Sequence, residues 1–316
     1  MPAIGSIRMA LALLIPMHGV VVFAGFFAPY DYAEQHRDYP YAAPTGIHFK
    51  PLPYVYGLKG DSQEDRTRVY ALRFFIRGRF FGTDPPGHVF LLGTDGYGRD
   101  IFSRVLYGGR ISLATGIVAT GWALAIGLLW GVTAGFFGGW LDAVMMRGAE
   151  LFLALPWLYL LLAARAFLPL HISPVQAFLL LVAIIGSVGW VRPARLIRGL
   201  TLSLVQCPYV EAARAFGGGP VYLIRRHILP ETRGILLTQA TILIPYYILA
   251  EVTLTFLGLG VGEPVPSWGG MLAEARQYHT LVTHIWMLTP GVATFLTLLG
   301  YVHLADVLQG RRDPVR

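Results

Sequence analysis

The chain has 316 residues, 55% of them hydrophobic and only 14% charged, with a formal net charge of +7. Soluble domains are roughly 25% charged, so the composition excludes an ordinary soluble enzyme and places the chain among membrane proteins. A single cysteine, Cys207, excludes an internal disulfide and a thiolate metal cluster.

Six apolar runs are long enough to cross a bilayer, which takes ~20 helical residues: Ile7–Pro29, Ile111–Phe137, Ala143–Leu168, Pro174–Leu196, Ile235–Leu259 and Ile285–Leu308. The first is too long for a signal-peptide core of ~7–15 residues and no A-x-A site follows, so it is read as a retained membrane helix (residues 1–30). Pro156 and Arg165 interrupt the third run and Pro193 the fourth.

Residues 31–110 follow as an external segment. "YVYGLKG" and "RFFIRGRFFGTDPPGHVFLLGTD" alternate apolar and polar residues, which predicts a few strands, either as a cap on the external mouth or as a contact surface for a partner. The stretch "LLGTDGYGRDIFSRVLYGGRISL", Leu91 to Leu113, ends this segment. Its Gly93, Thr94, Asp95, Gly98, Arg99 and Asp100 are read as a structural knot in which Asp–Arg pairs stiffen a turn.

Charge predicts orientation. Arg192, Arg195, Arg198, Arg214, Arg225, Arg226 and Arg233 lie between the fourth and fifth runs against only Glu211 and Glu231, and the tail "QGRRDPVR" is basic too. The loop "LPLHISP" carries no Lys or Arg, and the loop after the fifth run carries Arg276. Both termini and the Arg-rich loop are therefore expected in the cytoplasm. Residues 30–110 hold eleven Lys/Arg against nine Asp/Glu, but the rule applies to loops shorter than ~60 residues. The net positive charge is thus topology and does not call for nucleic acid.

Within the Arg-rich loop, "YVEAARAFGGGPVYLIRRHILPE" reads as two short helices. Pro208 suits a first helical turn, Glu211 complements the positive helix end, and Gly217 suits a left-handed cap. Pro220 opens the second helix and Pro230 is expected to close it. Ala212, Ala213 and Ala215 leave a surface that another backbone can approach. Glu211 and Arg214 could instead form a simple surface pair, and the arginines could bind lipid phosphate.

Glu251 lies inside the fifth run, where an ionisable group is a functional candidate; Thr253 and Thr255 could equally satisfy it in a packed bundle. Glu150 has Arg147 as a plausible partner. His171, His279, His284 and His303 show no ligand spacing, so a nickel site within this chain is not expected. The sequence contains no Ser/His/Asp arrangement, no H-E-x-x-H and no G-x-x-x-x-G-K-[ST], the loop that cradles ATP phosphates.

The order Glu211-Ala212-Ala213, three residues, Gly217, eleven residues, Leu229-Pro230 resembles the EAA loop of bacterial ATP-binding-cassette importer permeases. The "HILPE" ending resembles the dipeptide/oligopeptide/nickel branch, His227 standing where other branches often have Ile. The Leu91–Leu113 stretch, "AGFFGGWLDAVMMR", "LAEVTLTFLGLGVGEPVPSWGGMLAEARQY" and "LADVLQGRRDP" resemble the C-type permease of that branch in order, over about two-thirds of the chain. Gly217-Gly218-Gly219-Pro220 is richer in glycine than the family's usual Gly-Ala-Ser-x.

The resemblance implies an all-α polytopic permease of the type I importer fold with six transmembrane helices in the bacterial inner membrane. A five-helix core would span residues 111–316, with a coupling loop at about 200–232. Glu211, Ala212, Ala213, Arg214, Gly217, Leu229 and Pro230 would dock a cytoplasmic ATPase. Partners would be a second, homologous permease chain, two ATP-binding-cassette subunits, an external solute-binding protein and membrane lipid. The chain itself would hold no cofactor, ATP being bound by the partner subunits, and the family places an acidic residue at Glu251. Peptide import is the expected function. The alternatives are nickel or metal-chelate import, and an ion-driven carrier centred on Glu251. An exporter is disfavoured on the expectation that no ATPase domain follows Arg316.

Overall fold

The computed structural model describes residues 2–59, 64–154, 156, 159, 162, 163 and 173–310. Their helices and strands fall into two compact units. One comprises the described parts of Met1–Ile7, Thr115–Ala250 and Tyr301–Arg316, the other Arg8–Ala114 and Glu251–Gly300.

In chain order, α1 (Pro2–Val22) breaks at Phe23 before the single turn α2 (Ala24–Phe27). A four-stranded antiparallel meander follows: β1 (His48–Lys50), β2 (Leu52–Leu58), β3 (Glu64–Ile76) and β4 (Arg79–Thr83). Strands were expected here, and they form because outward Arg and Thr alternate with inward Leu72 and Phe81, which close over Val55 and Val89. The β3–β4 hairpin pairs Phe74 with Phe81 and Ile76 with Arg79. Arg77 and Gly78 between them take φ +51° and +77°, the left-handed pair a two-residue turn requires.

Then come α3 (Ile101–Phe137), α4 (Gly139–Ala154), α5 (Pro174–Val188), α6 (Val191–Val205), α7 (Pro208–Ala215), α8 (Pro220–Leu223) and a π turn at Ile224–Ile228. They are followed by α9 (Leu229–Phe256), α10 (Trp268–Glu274), α11 (Tyr278–Thr283), a 3₁₀ turn at Ile285–Leu288 and α12 (Thr289–Gly310). Among the described residues, Ile101–Phe137, Pro220–Phe256 and Ile285–Gly310 are long and apolar enough to cross a membrane, and α5 with α6 makes a fourth span if that bent pair counts as one.

Several boundaries differ from the sequence reading. The second helix starts ten residues before Ile111, because Asp100 caps it: Asp100 Oδ2 accepts from Ser103 N (2.8 Å) and Ser103 Oγ (2.6 Å). Arg110, near its start, does not end it. The guanidinium donates to Val21 O (3.1 Å) and Val22 O (2.8 Å) and so satisfies the last carbonyls of α1.

The fourth run bends by 47° between α5 and α6. The break is at Gly189–Trp190, and Pro193 falls in the first turn of α6, where no intrahelical N–H is needed. Pro230 does not close a helix. The preceding π turn, in which Leu229 N–H reaches back five residues to Ile224 O, shifts the carbonyl a proline ring would otherwise meet. α8, the π turn and α9 therefore run on as one helix. Of the third run, only the part to Ala154 and Pro156, Tyr159, Leu162 and Ala163 are described; Arg165, His171 and the tail 311–316 lie outside the described residues.

In the first unit, α3 and α6 cross closely. A Cβ built on Gly127 would lie 3.0 Å from Trp190 O, one on Gly131 2.5 Å from Ala194 O, and one on Gly135 2.8 Å from Arg198 O. Glycine at every fourth position keeps one helix face bare, which lets two backbones meet. Val132, Ile197, Leu204 and Ile228 fill the space beside the crossing. Gly138 and Gly139, at φ +61° and +59°, turn the chain into α4, where Asp142 grips Arg198 through two 2.5 Å hydrogen bonds.

Candidate functional site

The hairpin in the Arg-rich loop forms as its residues require. Pro208 is the first residue of α7 and Glu211 lies in its first turn. The helix ends at Phe216, and Gly217 follows at φ +87°. Gly218 N donates to Ala213 O (2.9 Å) and Gly217 N to Arg214 O (3.0 Å), the paired bonds of a Schellman cap. Val210 is fully buried, whereas Glu211, Ala212, Arg214 and Ala215 are exposed. Among the described residues Glu211 and Arg214 form no ion pair, so the simple surface bridge the spacing allowed is not made.

Sequence reading passed over the most exposed apolar side chain of this hairpin. Phe216 is 93% exposed, with Tyr209, Val221 and Tyr222 also open. Its position directly before the capping glycine was the available signal. Leu229 and Pro230 sit elsewhere: Leu229 packs against the apolar cluster of Ile228 and Leu204, and Pro230 lies in the first turn of α9. His227 ties the two arms together, its ring 5.7 Å from Tyr209 and 5.8 Å from Tyr222.

In the second unit, Glu251 is completely enclosed. Thr255 Oγ1 donates to its Oε1 (2.8 Å), the Ser112 and Ser267 hydroxyls flank the carboxyl, and among the described residues Oε2 has no close hydrogen-bond donor. Thr255 was expected beside it; Ser112 and Ser267 were not.

The knot at Gly93–Asp100 is also present. Thr94 bridges to Asp100 and accepts from Ala42 N (2.7 Å) while donating to Tyr39 O (2.6 Å). Gly93 and Gly98 take positive φ. Asp95 Oδ1 accepts from Tyr97 N and Arg99 N, and its Oδ2 from Arg99 Nε at 2.6 Å.

This knot is larger than its sequence suggests. Arg99 also donates to Glu263 (2.7 Å) and Glu274 (2.9 Å). Arg104, fully buried, reaches the same two carboxylates at 3.0 and 3.1 Å. Three acids thus face two arginines, and the proton that relieves the surplus negative charge goes to Glu274, the more buried of the two glutamates. Burial pushes Glu274 up despite Arg104 and Arg99, whereas on half-exposed Glu263 the two arginines outweigh burial and hold the carboxyl down.

Burial also pushes Asp100 up to about 7, against the pull of its Ser103 hydrogen bonds and with a further push from Asp95. An acid whose folded pKa lies above its unfolded value of 3.8 contributes stability below that value and loses it as pH rises through about 7. We expect the melting temperature in detergent to fall across that window through this group. Asp100→Asn, which keeps a capping side chain, should flatten the profile; an unchanged slope would remove Asp100 as its source.

Long apolar helices with an exposed, glycine-capped hairpin between them give the chain the form of a membrane component. Residues 127–314 match the family described as the binding-protein-dependent transport system inner membrane component, and the chain belongs to that family. It is 38% identical over 229 residues to the glutathione transport system permease protein GsiD of Pectobacterium atrosepticum, covering 72% of this chain and 74% of that one. It is 36% identical over 231 residues to the dipeptide transport system permease protein DppC of Bacillus subtilis, covering 73% and 70%. Inward facing structures of the MetNI methionine ABC transporter align at 20% identity and a TM-score of 0.47, over 66% of this chain and 97% of that one.

Proposed function

We propose that the chain is the permease subunit of an ATP-driven importer of peptides, and that the hairpin from Glu211 to Gly217 is the element through which ATPase subunits drive it. The relatives' names, glutathione and dipeptide transport permeases, support a short peptide as solute. The observation that carries the coupling role is the Schellman-capped α7 with Phe216 standing 93% exposed at its tip. A bare aromatic on a rigid helix end is the kind of anchor that dominates protein interfaces.

In this reading the complete importer contains a second, homologous permease chain, two ATP-binding-cassette subunits that bind the ATP, and an external solute-binding protein. Six spans cross the bacterial inner membrane with both termini in the cytoplasm, residues 31–110 face outward and residues 111–316 form the core. ATPase closure moves the hairpin and switches the core between two states. Glu251, enclosed and only partly hydrogen-bonded, is the candidate gate residue.

Co-purification of ATPase subunits from the native membrane tests the proposal. Wild-type chain should carry ATPase subunits with it. Phe216→Ala should weaken capture by roughly 30-fold, the equivalent of about 2 kcal/mol for an interface anchor. Glu211→Ala combined with Gly217→Pro should abolish it. If no ATPase accompanies the wild type, the coupling role fails and an ion-driven carrier centred on Glu251 takes its place.

A further inference from the structure

The inserted sheet carries an apolar and basic tip that neither the sheet core nor the knot accounts for. From Arg66 to Thr83 the sequence holds five arginines; Arg66, Arg68 and Arg73 pair with Glu64, Asp65 and Asp84 and Arg79 is held by Pro29 O, which leaves Arg77, in the β3–β4 turn, as the cation of the tip. At the β3–β4 turn, Phe75 is 72% exposed and Phe74 is open too. Phe75 is held outward at φ +56°, a left-handed conformation that bulky side chains rarely adopt.

This tip is joined to the end of the first apolar helix. The Phe75 ring lies 6.2 Å from Phe26 and 5.6 Å from Phe80, and Phe80 lies 5.8 Å from Phe26. Arg79 donates to Pro29 O, which fixes the hairpin at the point where α2 ends. Along α1 the open large apolar side chains include Met9, Leu11, Ile15 and Val22, and Phe23 follows at its end. Phe26, in contact with Phe75, joins the open apolar end of the helix to the hairpin tip, where Arg77 stands two residues after Phe75. Aromatic rings with arginines at the end of a membrane helix are the composition of the bilayer interface, where rings sit at headgroup depth and guanidinium groups meet phosphate.

We propose that the β3–β4 hairpin tip, with Phe74, Phe75 and Arg77, rests in the headgroup region of the bilayer and anchors the inserted sheet to the lipid surface. The ligand is a phospholipid: acyl-chain boundary for the two phenylalanines, phosphate oxygens for Arg77. The anchor limits the sheet's freedom relative to the membrane plane and holds its remaining strands above the surface.

Cys207 is the only cysteine, so in a Cys207→Ser background a nitroxide can be placed at one site at a time in the full chain. The sites are Phe75→Cys, Val69→Cys and Phe23→Cys, in vesicles of phosphatidylethanolamine and phosphatidylglycerol. Val69 is open and lies about 20 Å back along β3, at ~3.4 Å per residue; Phe23 marks the end of the apolar helix. Collision with oxygen, which partitions into lipid, is compared with collision with a water-soluble nickel chelate. The proposal expects an oxygen-to-nickel ratio at Phe75 severalfold above that at Val69 and close to that at Phe23. A ratio equal to Val69 overturns it in favour of a water-exposed tip. Shielding from both reagents overturns it in favour of a protein neighbour. Should the Phe75→Cys chain fail to fold, Phe74→Cys carries the same readings.

Discussion

Replacing Arg99 by methionine is expected to cost on the order of 3–5 kcal/mol, the usual penalty for removing one partner of a buried ion pair. The Arg99 side chain is 6% exposed and that of Asp95 2%. Without the guanidinium, Asp95 keeps its two backbone donors but has Arg104 Nε, at 3.6 Å, as its remaining cation, and Glu274 loses one of its two cations. Methionine fills a similar volume, so the loss reflects stranded charge and not a cavity. The check is a melting curve of the purified chain in detergent. Glu263→Gln provides the contrast: that carboxylate is about half exposed, water screens it, and its loss should stay within about 1 kcal/mol. Equal effects from the two substitutions would mean that the cluster is not an enclosed ionic unit.

The second large effect is expected at Gly131. A leucine there places its Cβ 2.5 Å from Ala194 O and 2.9 Å from Ile197 Cβ. Backbone cannot give way as a flexible side chain can, so α3 and α6 must separate and the packing of Val132 against Ile197 is lost. Overpacking of this kind costs typically 1–3 kcal/mol, and more where backbone is struck. Little monodisperse protein should survive size-exclusion chromatography in detergent. Gly121→Leu on the same helix, whose Cβ would meet nothing within 4 Å, should elute as wild type does. A well-behaved Gly131→Leu chain would refute the close crossing.

Much of the helical framework was legible because long apolar runs have few other readings. The boundaries were not, and the reason is chemical in each case. Arg104 and Arg110 look like the end of a span, yet Glu263 and Glu274 pair with the first and two carbonyls of α1 accept the hydrogen bonds of the second. Those carboxylates lie 159 and 170 residues further along the chain, a distance across which no local pattern speaks. Pro230 looked like a terminator because a π turn leaves no mark in composition. The spacing of Gly127, Gly131 and Gly135 was visible and was overlooked, since glycines in an apolar run look like neutral filler. The hairpin was the most readable part, Pro208, Glu211 and Gly217 each having one obvious local use. Phe216 went unnoticed because the motif is defined by its small residues.

The continuity of α8 with α9 has a consequence in length. The helix from Pro220 to Phe256 counts 37 residues and is therefore about 55 Å long at ~1.5 Å per residue. The hydrocarbon layer is ~30 Å thick, and even a tilt of ~40° lets it enclose only about 40 Å of helix. A stretch of at least about 15 Å must project beyond the hydrocarbon at any ordinary tilt. Pro220, the first residue of the hairpin's second arm, thus belongs to the same long helix as Pro245. The hairpin's second arm is not a part attached to that helix; it is the helix's own first turn.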